Sequence, residues 1–418
     1  MTLTMKKAPS ATTKRSSLPL SGVRVADFSW LAAGPFATRF LATMGAQVVR
    51  VESQKRLDQL RQIGPYPDGI PGVNRSPHYN LINYSKLSMA LDLSTPRGAD
   101  MARRLVMVSD VVVENFAAGV LERLGLGWDN VRRDRPDLVY VSSSGLGRSG
   151  PARHFVAYGM TLHAFGGLTH ATGYVGQPPR PVSGTWADPV TAVTMACAIL
   201  AALHHRRRTG QGQYIDLAMS DAMLAITPEQ VIECSLTGRV PQRRGNYEEM
   251  TVPHNTYRCL GDDSWVAIAV RDEAEWRAFC RAAGHREWAA DPRFADAYAR
   301  RCNEAEMDRV ITSWTREHTA QDVTERLQKA GIAAFPCLTA MGIIEDPQLR
   351  ARDFFVTVDH PEVGERPVMG HPWRMSGMPT PVYTPAPLLS QHSAYVLRDV
   401  LGLPADEARR LVDEKVVY

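Results

Sequence analysis

Gly22-Val23-Arg24-Val25-Ala26-Asp27-Phe28, the segment Gly34 to Gly45, and Gln47-Val48-Val49-Arg50-Val51-Glu52 together decide the fold. The first and last pieces are short, apolar and strand-like. The middle piece carries Phe36, Phe40, Leu41 and Met44 on one side at helical spacing. Strand, helix and strand in immediate succession make a βαβ opening. Outward from it the alternation continues through a helix at Gly98 to Val108, a strand at Asp110 to Glu114, a helix at Val120 to Leu124 and a strand at Asp137 to Ser142. That order predicts a parallel sheet wrapped by helices, an α/β Rossmann-like layer.

After a helix at Pro189 to Arg208, the Thr209-Gly210-Gln211-Gly212 turn and a strand at Tyr214 to Met219, the texture changes. A helix over Ala222 to Leu236 leads into a polar loop from Gly238 to Thr251. A segment with its own strand, Trp265 to Val270, and several helices follows. The expected organisation is a lead-in over 1–18, a large domain over 19–220, a linker and smaller α+β domain over 221–330, and a return to the large domain over 331–418. The return ends in a helix around Ala405 to Lys415.

The chain has 418 residues, 44% hydrophobic and 22% charged, which fits a soluble globular protein of two domains. A net charge of +4 from 48 basic and 44 acidic side chains is too balanced for a general nucleic-acid binder. Cys197, Cys234, Cys259, Cys280, Cys302 and Cys337 lie far apart with no CxxC pair, so no disulfide framework or zinc site is expected and a reducing cytoplasm is. Residues 1–18 lack the apolar core of a secretory signal and read as a disordered lead-in. The apolar stretch Val190 to Leu203 is too short to span a bilayer and reads as a buried helix.

Glu52 ends the second strand where a dinucleotide fold places its acidic ribose ligand, but Ala32-Ala33-Gly34-Pro35 is not the matching glycine fingerprint, so NAD is not expected. Walker, H-E-x-x-H and G-x-S-x-G motifs are absent. Six ordered blocks nevertheless resemble the class III CoA-transferase family, which includes formyl-CoA transferase, carnitine CoA-transferase and α-methylacyl-CoA racemase. They are Leu20 to Asp27 with Ala33-Gly34-Pro35; Gly45 to Glu52; Asn83 to Leu93; Asp110 to Phe116 with Arg123-Leu124-Gly125; Ser143 to Gly147 with Gly150-Pro151; and Arg208 to Gln213. The resemblance continues through Pro253 to Tyr257 and Asp346 to Leu349.

This resemblance implies a large domain built from both chain ends, a smaller domain from the middle, and two subunits threaded through each other as an interlocked dimer. It implies coenzyme A thioesters as substrates, with no tightly bound cofactor and no metal. By resemblance the CoA contacts are Trp30, Leu31, Ala33, Asn115, Phe116 and Arg123. Backbone amides after a strand suit a pyrophosphate, and Arg123 suits a phosphate. Each has a plainer role: packing for Trp30, core for Phe116, a solvated helix charge for Arg123. Ala32 stands where some members have glutamine, and Ser53 where some carry a basic residue.

Members of the family attack the thioester with an aspartate carboxylate. Alignment through Tyr158 and Gly166-Gly167-Leu168 puts Gly159 at that position, so this chain lacks the covalent nucleophile. The racemase branch uses a histidine, here Tyr158, with a later aspartate, here Asp188; a helix N-cap role before Pro189 is the plainer reading of Asp188. Glu229, Glu233, Glu248 and Glu249 read as solvated carboxylates, and His154, His163 and His170 as structural. The first expectation is a non-nucleophilic subunit paired with a paralogue that carries the aspartate, as in heteromeric benzylsuccinate CoA-transferases of aromatic degradation. An Asp188-dependent acyl-CoA epimerase or isomerase and a non-catalytic CoA-ester binding protein are the alternatives. Neither nucleic acid nor membrane is an expected partner.

Overall fold

β1 (Arg24–Asp27), α1 (Ala33–Thr43) and β2 (Gln47–Glu52) form the βαβ opening, with Val25 opposite Val48 in a parallel register. The computed structural model describes residues 18–379, 381 and 383–418, so the expected lead-in, apart from Leu18, lies outside the described residues. The alternation then runs through α2 (Pro77–Asn83), β3 (Leu87–Ala90), α3 (Pro96–Met107), β4 (Val111–Glu114), α4 (Val120–Arg123), α5 (Trp128–Val131) and β5 (Val139–Ser144). After α6 (Gly159–Phe165) and the single turn α7 (Leu168–Ala171) come α8 (Ala187–Thr209), β6 (Gln213–Ala218), α9 (Met219–Leu224) and α10 (Pro228–Thr237). The six strands lie in the order β3-β2-β1-β4-β5-β6, every neighbouring pair parallel.

Side-chain alternation along these strands sends residues to both faces, which is why they read as continuous apolar runs. Val111, Val113, Val139 and Val141 meet Ala37 and Leu41 of α1 and Ala192, Met195 and Ile199 of α8. Val112 and Tyr140 point the other way, into a cluster with Met101 and Leu105 of α3 and with Leu411 near the C-terminus. Each such fully buried aliphatic side chain contributes about 1.5–3 kcal/mol.

Two compact units divide the chain. The first comprises Met1–Leu168, Pro181–Arg239 and Arg350–Tyr418; the second comprises Thr169–Arg180 and Val240–Leu349. The main changeovers, after Arg239 and after Leu349, lie beyond the 220/221 and 330/331 boundaries expected from the sequence, and Thr169–Arg180 joins the second unit from within the stretch expected to be large domain. In the second unit β7 (His254–Arg258), β8 (Trp265–Ala269) and the strand Ala333–Pro336 make a three-stranded antiparallel sheet in the order β7-β8-β9. That last strand, β9, falls within the 331–418 segment expected to return to the large domain, but its pairing of Ala333 with Ala269 keeps it in the second unit. Trp276, Phe279, Phe294 and Trp314 fill that unit's core.

Two further expectations are corrected. The helix expected over Ala222 to Leu236 is two, because Pro228 lacks the amide a continuous helix needs and opens α10 instead. The Val190 to Leu203 stretch lies inside α8, but only one face is buried; Val193 and Leu200 are exposed. Among the described residues α8 is also the one helix long and apolar enough to cross a membrane, and its buried face packs on α1. In the first unit β10 (Phe355–His360) and β11 (Gly364–Met369) form an antiparallel hairpin that the sequence pattern did not disclose.

Glu52 accepts two hydrogen bonds of 2.8 Å from Arg61, one of 2.9 Å from Tyr79 and one of 3.0 Å from Ser88. The carboxylate that resembled a ribose ligand is thus consumed inside the frame.

Candidate active site

A parallel sheet whose strand order reverses leaves a crevice beyond the carboxyl ends of its strands, and here the reversal falls between β1 and β4. The segments following those strands carry Trp30, Leu31 and Ala33 on one side and Asn115 and Phe116 on the other, and the structure brings them together. The Trp30 amide donates to Asn115 Oδ1 at 2.7 Å, and Asn115 Nδ2 donates to the Trp30 carbonyl at 2.8 Å. Trp30 and Phe116 meet edge to face with ring centroids 5.7 Å apart, and Phe116 also packs against the first unit's core. The packing roles are therefore real for both residues.

Leu31 adopts a left-handed φ of 58°, costly for a branched side chain. Its amide donates to Asp58 Oδ2 at 3.2 Å, and the same oxygen is held by buried Arg50. Gly34 completes the turn: a Cβ there would lie 2.3 Å from that of Ser29, so no side chain fits. On the β4 side, the Phe116 amide donates to Glu114 Oε2 at 2.8 Å, and Glu114 is bonded by Ser142 and Arg148. Arg123 ends α4 exposed, with its guanidinium 3.1 Å from where a Cβ on Gly119 would sit and no ion pair among the described residues. Near Ser53, Lys55 is engaged by Asp92 at 2.6 Å, while Arg56 lies 5.5 Å from the Trp30 ring centroid.

Gly159 is the first residue of α6 and is buried. The Thr161 hydroxyl fixes this helix start, accepting from the Tyr158 amide at 2.9 Å and donating to its carbonyl at 2.8 Å. A Cβ at position 159 would stand 2.7 Å from Asp188 Oδ2, and 3.0 and 3.2 Å from Thr185 Cβ and Cγ2. The room a side chain would need there is occupied by a carboxylate from α8.

Asp188 is the second residue of α8, whose N-cap is Trp186, so Asp188 is not the N-cap. Its carboxyl is half-buried, and burial raises its pKa against the opposing pull of the Thr185 hydroxyl, the Ala33 amide and His163. His163 is fully buried on α6; its Nε2 accepts from the Ala187 amide at 3.1 Å, one of the amides a helix start leaves unpaired. That bond puts the histidine proton on Nδ1, which is buried without a partner. Asp188 and Thr185 thus crowd Gly159, with His163 holding the adjoining start of α8.

The remaining candidates lie apart from this group. His154 and Glu229 are exposed and Glu233 is half-buried on α10. His170, Glu248 and Glu249 belong to the second unit, where Glu249 pairs with Arg244 at 3.0 Å. Among the described residues no cluster of His, Cys, Asp and Glu has the makings of a metal site.

Helices on both faces of a parallel sheet, with backbone amides and an asparagine gathered at its switch point, define a protein of the doubly wound ligand-binding class. The comparisons give the family. Residues 20–393 match the model of CoA-transferase family III. The succinyl-CoA--D-citramalate CoA-transferase of Chloroflexus aurantiacus is 33% identical over 404 residues, covering 97% of this chain and 99% of that one. The beta subunit of a succinyl-CoA--L-malate CoA-transferase from the same organism is 31% identical over 406 residues, covering 96% and 99%. A crystal structure of a CAIB/BAIF family protein from Brucella suis aligns with a TM-score of 0.84 at 30% identity, covering 92% of this chain and all of that one, 100%. The chain belongs to CoA-transferase family III.

Sequence reasoning missed Thr185, Asp58, Glu114 and Arg148. Asp58 reaches Leu31 across 27 positions, a contact with no sequence signal.

Proposed function

We propose that this chain is the non-nucleophilic subunit of a hetero-oligomeric class III CoA-transferase, moving CoA from an acyl-CoA donor such as succinyl-CoA to a carboxylic acid such as benzylsuccinate. Gly159 carries the reading: the position that aligns with the covalent aspartate has no side chain, and Asp188 fills the space. A paralogous partner of the same fold supplies the aspartate. Its carboxylate attacks the thioester carbonyl, the C–S bond breaks and CoA leaves as thiolate. The thiolate then takes the aspartyl carbonyl from the mixed anhydride, freeing the first acid, and the acceptor carboxylate repeats the exchange in reverse.

Several observations support this reading. One relative is named as a beta subunit, and both curated relatives take succinyl-CoA. The first unit exposes Phe155 at 70%, Val156 at 86% and Leu236 at 79%, apolar surface of the kind that a partner covers. The expected interlocked dimer gives such a partner. In this chain Trp30, Leu31, Ala33, Asn115 and Phe116 would line the CoA site and Arg123 would meet a phosphate; the Trp30, Leu31 and Phe116 amides already donate to Asn115, Asp58 and Glu114, so the pyrophosphate is not cradled by them. CoA is then a passing substrate rather than a resident cofactor, and the six free cysteines among the described residues suit a reducing cytoplasm.

The half-buried Asp188 beside His163 favours one second reading, an acyl-CoA epimerase that moves a proton at the thioester α-carbon. Exchange of that hydrogen with deuterated water, abolished in Asp188→Asn, would identify it. The proposal itself is tested by native mass spectrometry of the protein taken from its own cells. A similar-sized partner with aspartate after its equivalent of Tyr158 is the expected result; a pure homodimer would overturn it.

A further inference from the structure

Between β1 and α1 the backbone of Ser29, Trp30 and Leu31 is held by side chains. The Ser29 amide donates to Asp27 Oδ1 at 3.0 Å, and the Ser29 carbonyl accepts from Arg50 Nη1 at 2.8 Å. Asn115 takes both the amide and the carbonyl of Trp30, and the Leu31 amide donates to Asp58 Oδ2 at 3.2 Å. Arg50 and Asp58 are bonded to each other and are 0% and 1% exposed, so one buried ion pair grips the chain on both sides of Trp30. Asp58 is itself fixed. Its Oδ1 accepts from the Leu60 amide at 2.9 Å and caps the turn Gln59–Gln62.

Leu31 needs that grip. Its φ of 58° lies in the left-handed region, which a residue with a side chain disfavours by about tenfold, whereas glycine takes it without penalty. Strain of this kind persists only where the surroundings over-determine it, and such positions gather at binding sites. Here Trp30 and the strained Leu31 are half-buried at the switch point rather than sealed in the core. With both amides and the Trp30 carbonyl already bonded, what they offer a ligand is the Trp30 ring and the Leu31 side chain. The backbone angle that Asp58 holds sets the orientation of that surface.

We infer that Asp58 is a positioning residue for coenzyme A: by keeping Leu31 left-handed it holds the Trp30 and Leu31 surface in the shape the ligand fits. The inference rests on the reading that these two residues line the CoA site. Without Asp58 only about one molecule in ten keeps that shape, and the apparent affinity falls with the competent fraction.

Free coenzyme A is titrated by calorimetry into the full chain in whatever assembly it forms, with urea midpoints recorded alongside. Asp58→Ala should weaken CoA about tenfold. That variant strands buried Arg50, so Arg50→Met with Asp58→Leu is measured as well; it leaves no unpaired charge, because Glu52 keeps Arg61, and should show the same loss. In a Leu31→Gly background, where both conformers are about equally open, removing Asp58 should cost only about twofold. An equal or larger loss in that background would make Asp58 a merely structural residue and overturn the inference, as would full affinity in either Asp58 variant. Trp30→Ala separates this result from the CoA-site reading. Binding weakened by Trp30→Ala but by neither Asp58 variant overturns the inference alone, and binding indifferent to Trp30→Ala overturns the placement of the site and the inference with it.

Discussion

Glu52 and Asp188 are two carboxylates of the first unit with opposite surroundings. Burial alone would raise the Glu52 carboxyl, but the hydrogen bonds and charge of Arg61, with Arg50 and Tyr79, hold it down at about 2. Burial also raises Asp188, and there a hydroxyl, an amide and a histidine do not reverse it. Glu52 is fully committed to the frame, whereas Asp188 keeps capacity to spare and stands where a missing side chain would be. The contrast separates a buried carboxylate whose desolvation is offset by buried cations from one whose desolvation is not.

The largest effect should come from Glu52→Gln, which strands buried Arg61 without its anion while Arg50 keeps Asp58, and should cost about 3–5 kcal/mol, read from urea midpoints. Asp188→Asn, which breaks no ion pair, should stay under about 1 kcal/mol. Comparable losses in the two variants would dissolve the contrast.

Acid should sharpen it. With the Glu52 carboxyl at about 2 in the fold against 4.5 unfolded, its stabilisation is complete above pH 4.5 and is lost as pH falls towards 2, about 3 kcal/mol in all. Asp188 has the opposite sign, because its raised pKa favours the folded state at low pH and that contribution fades as pH rises past 3.8. Denaturation series from pH 5 to 2 should therefore steepen for the wild type and flatten in Glu52→Gln.

Gly159→Asp should be destabilising by about 1–3 kcal/mol, because the new Cβ meets Asp188 Oδ2 at 2.7 Å and Thr185 behind it. Adding Asp188→Ser should recover most of that loss in the same denaturation assay; no recovery would mean that the carboxylate is not the obstacle. The smallest effect belongs to Thr185→Val, which removes a hydroxyl that lowers the Asp188 pKa. Carbon-13 NMR titration should find Asp188 titrating at higher pH with little change in stability.

The βαβ opening was legible because strand and helix periods alternate cleanly from Val23 to Glu52. The switch-point segments were legible by resemblance, and Gly159 by its place after Tyr158. Pro228 is the sequence signal that divides α9 from α10, and the β10–β11 hairpin, broken by Pro367 and charged residues, has no alternation to read. What Asp188 does to position 159, and how Asn115 clasps Trp30 across 85 positions, depend on chain segments meeting in space. Residue spacing alone does not carry that information.

The heteromeric proposal puts the covalent carboxylate on another chain. The most direct measurement is hydroxylamine trapping of the native complex during turnover with succinyl-CoA, followed by peptide mass spectrometry. A heteromeric enzyme yields an aspartyl hydroxamate on the partner's aspartate and none on this chain. A hydroxamate at Asp188 would contradict it.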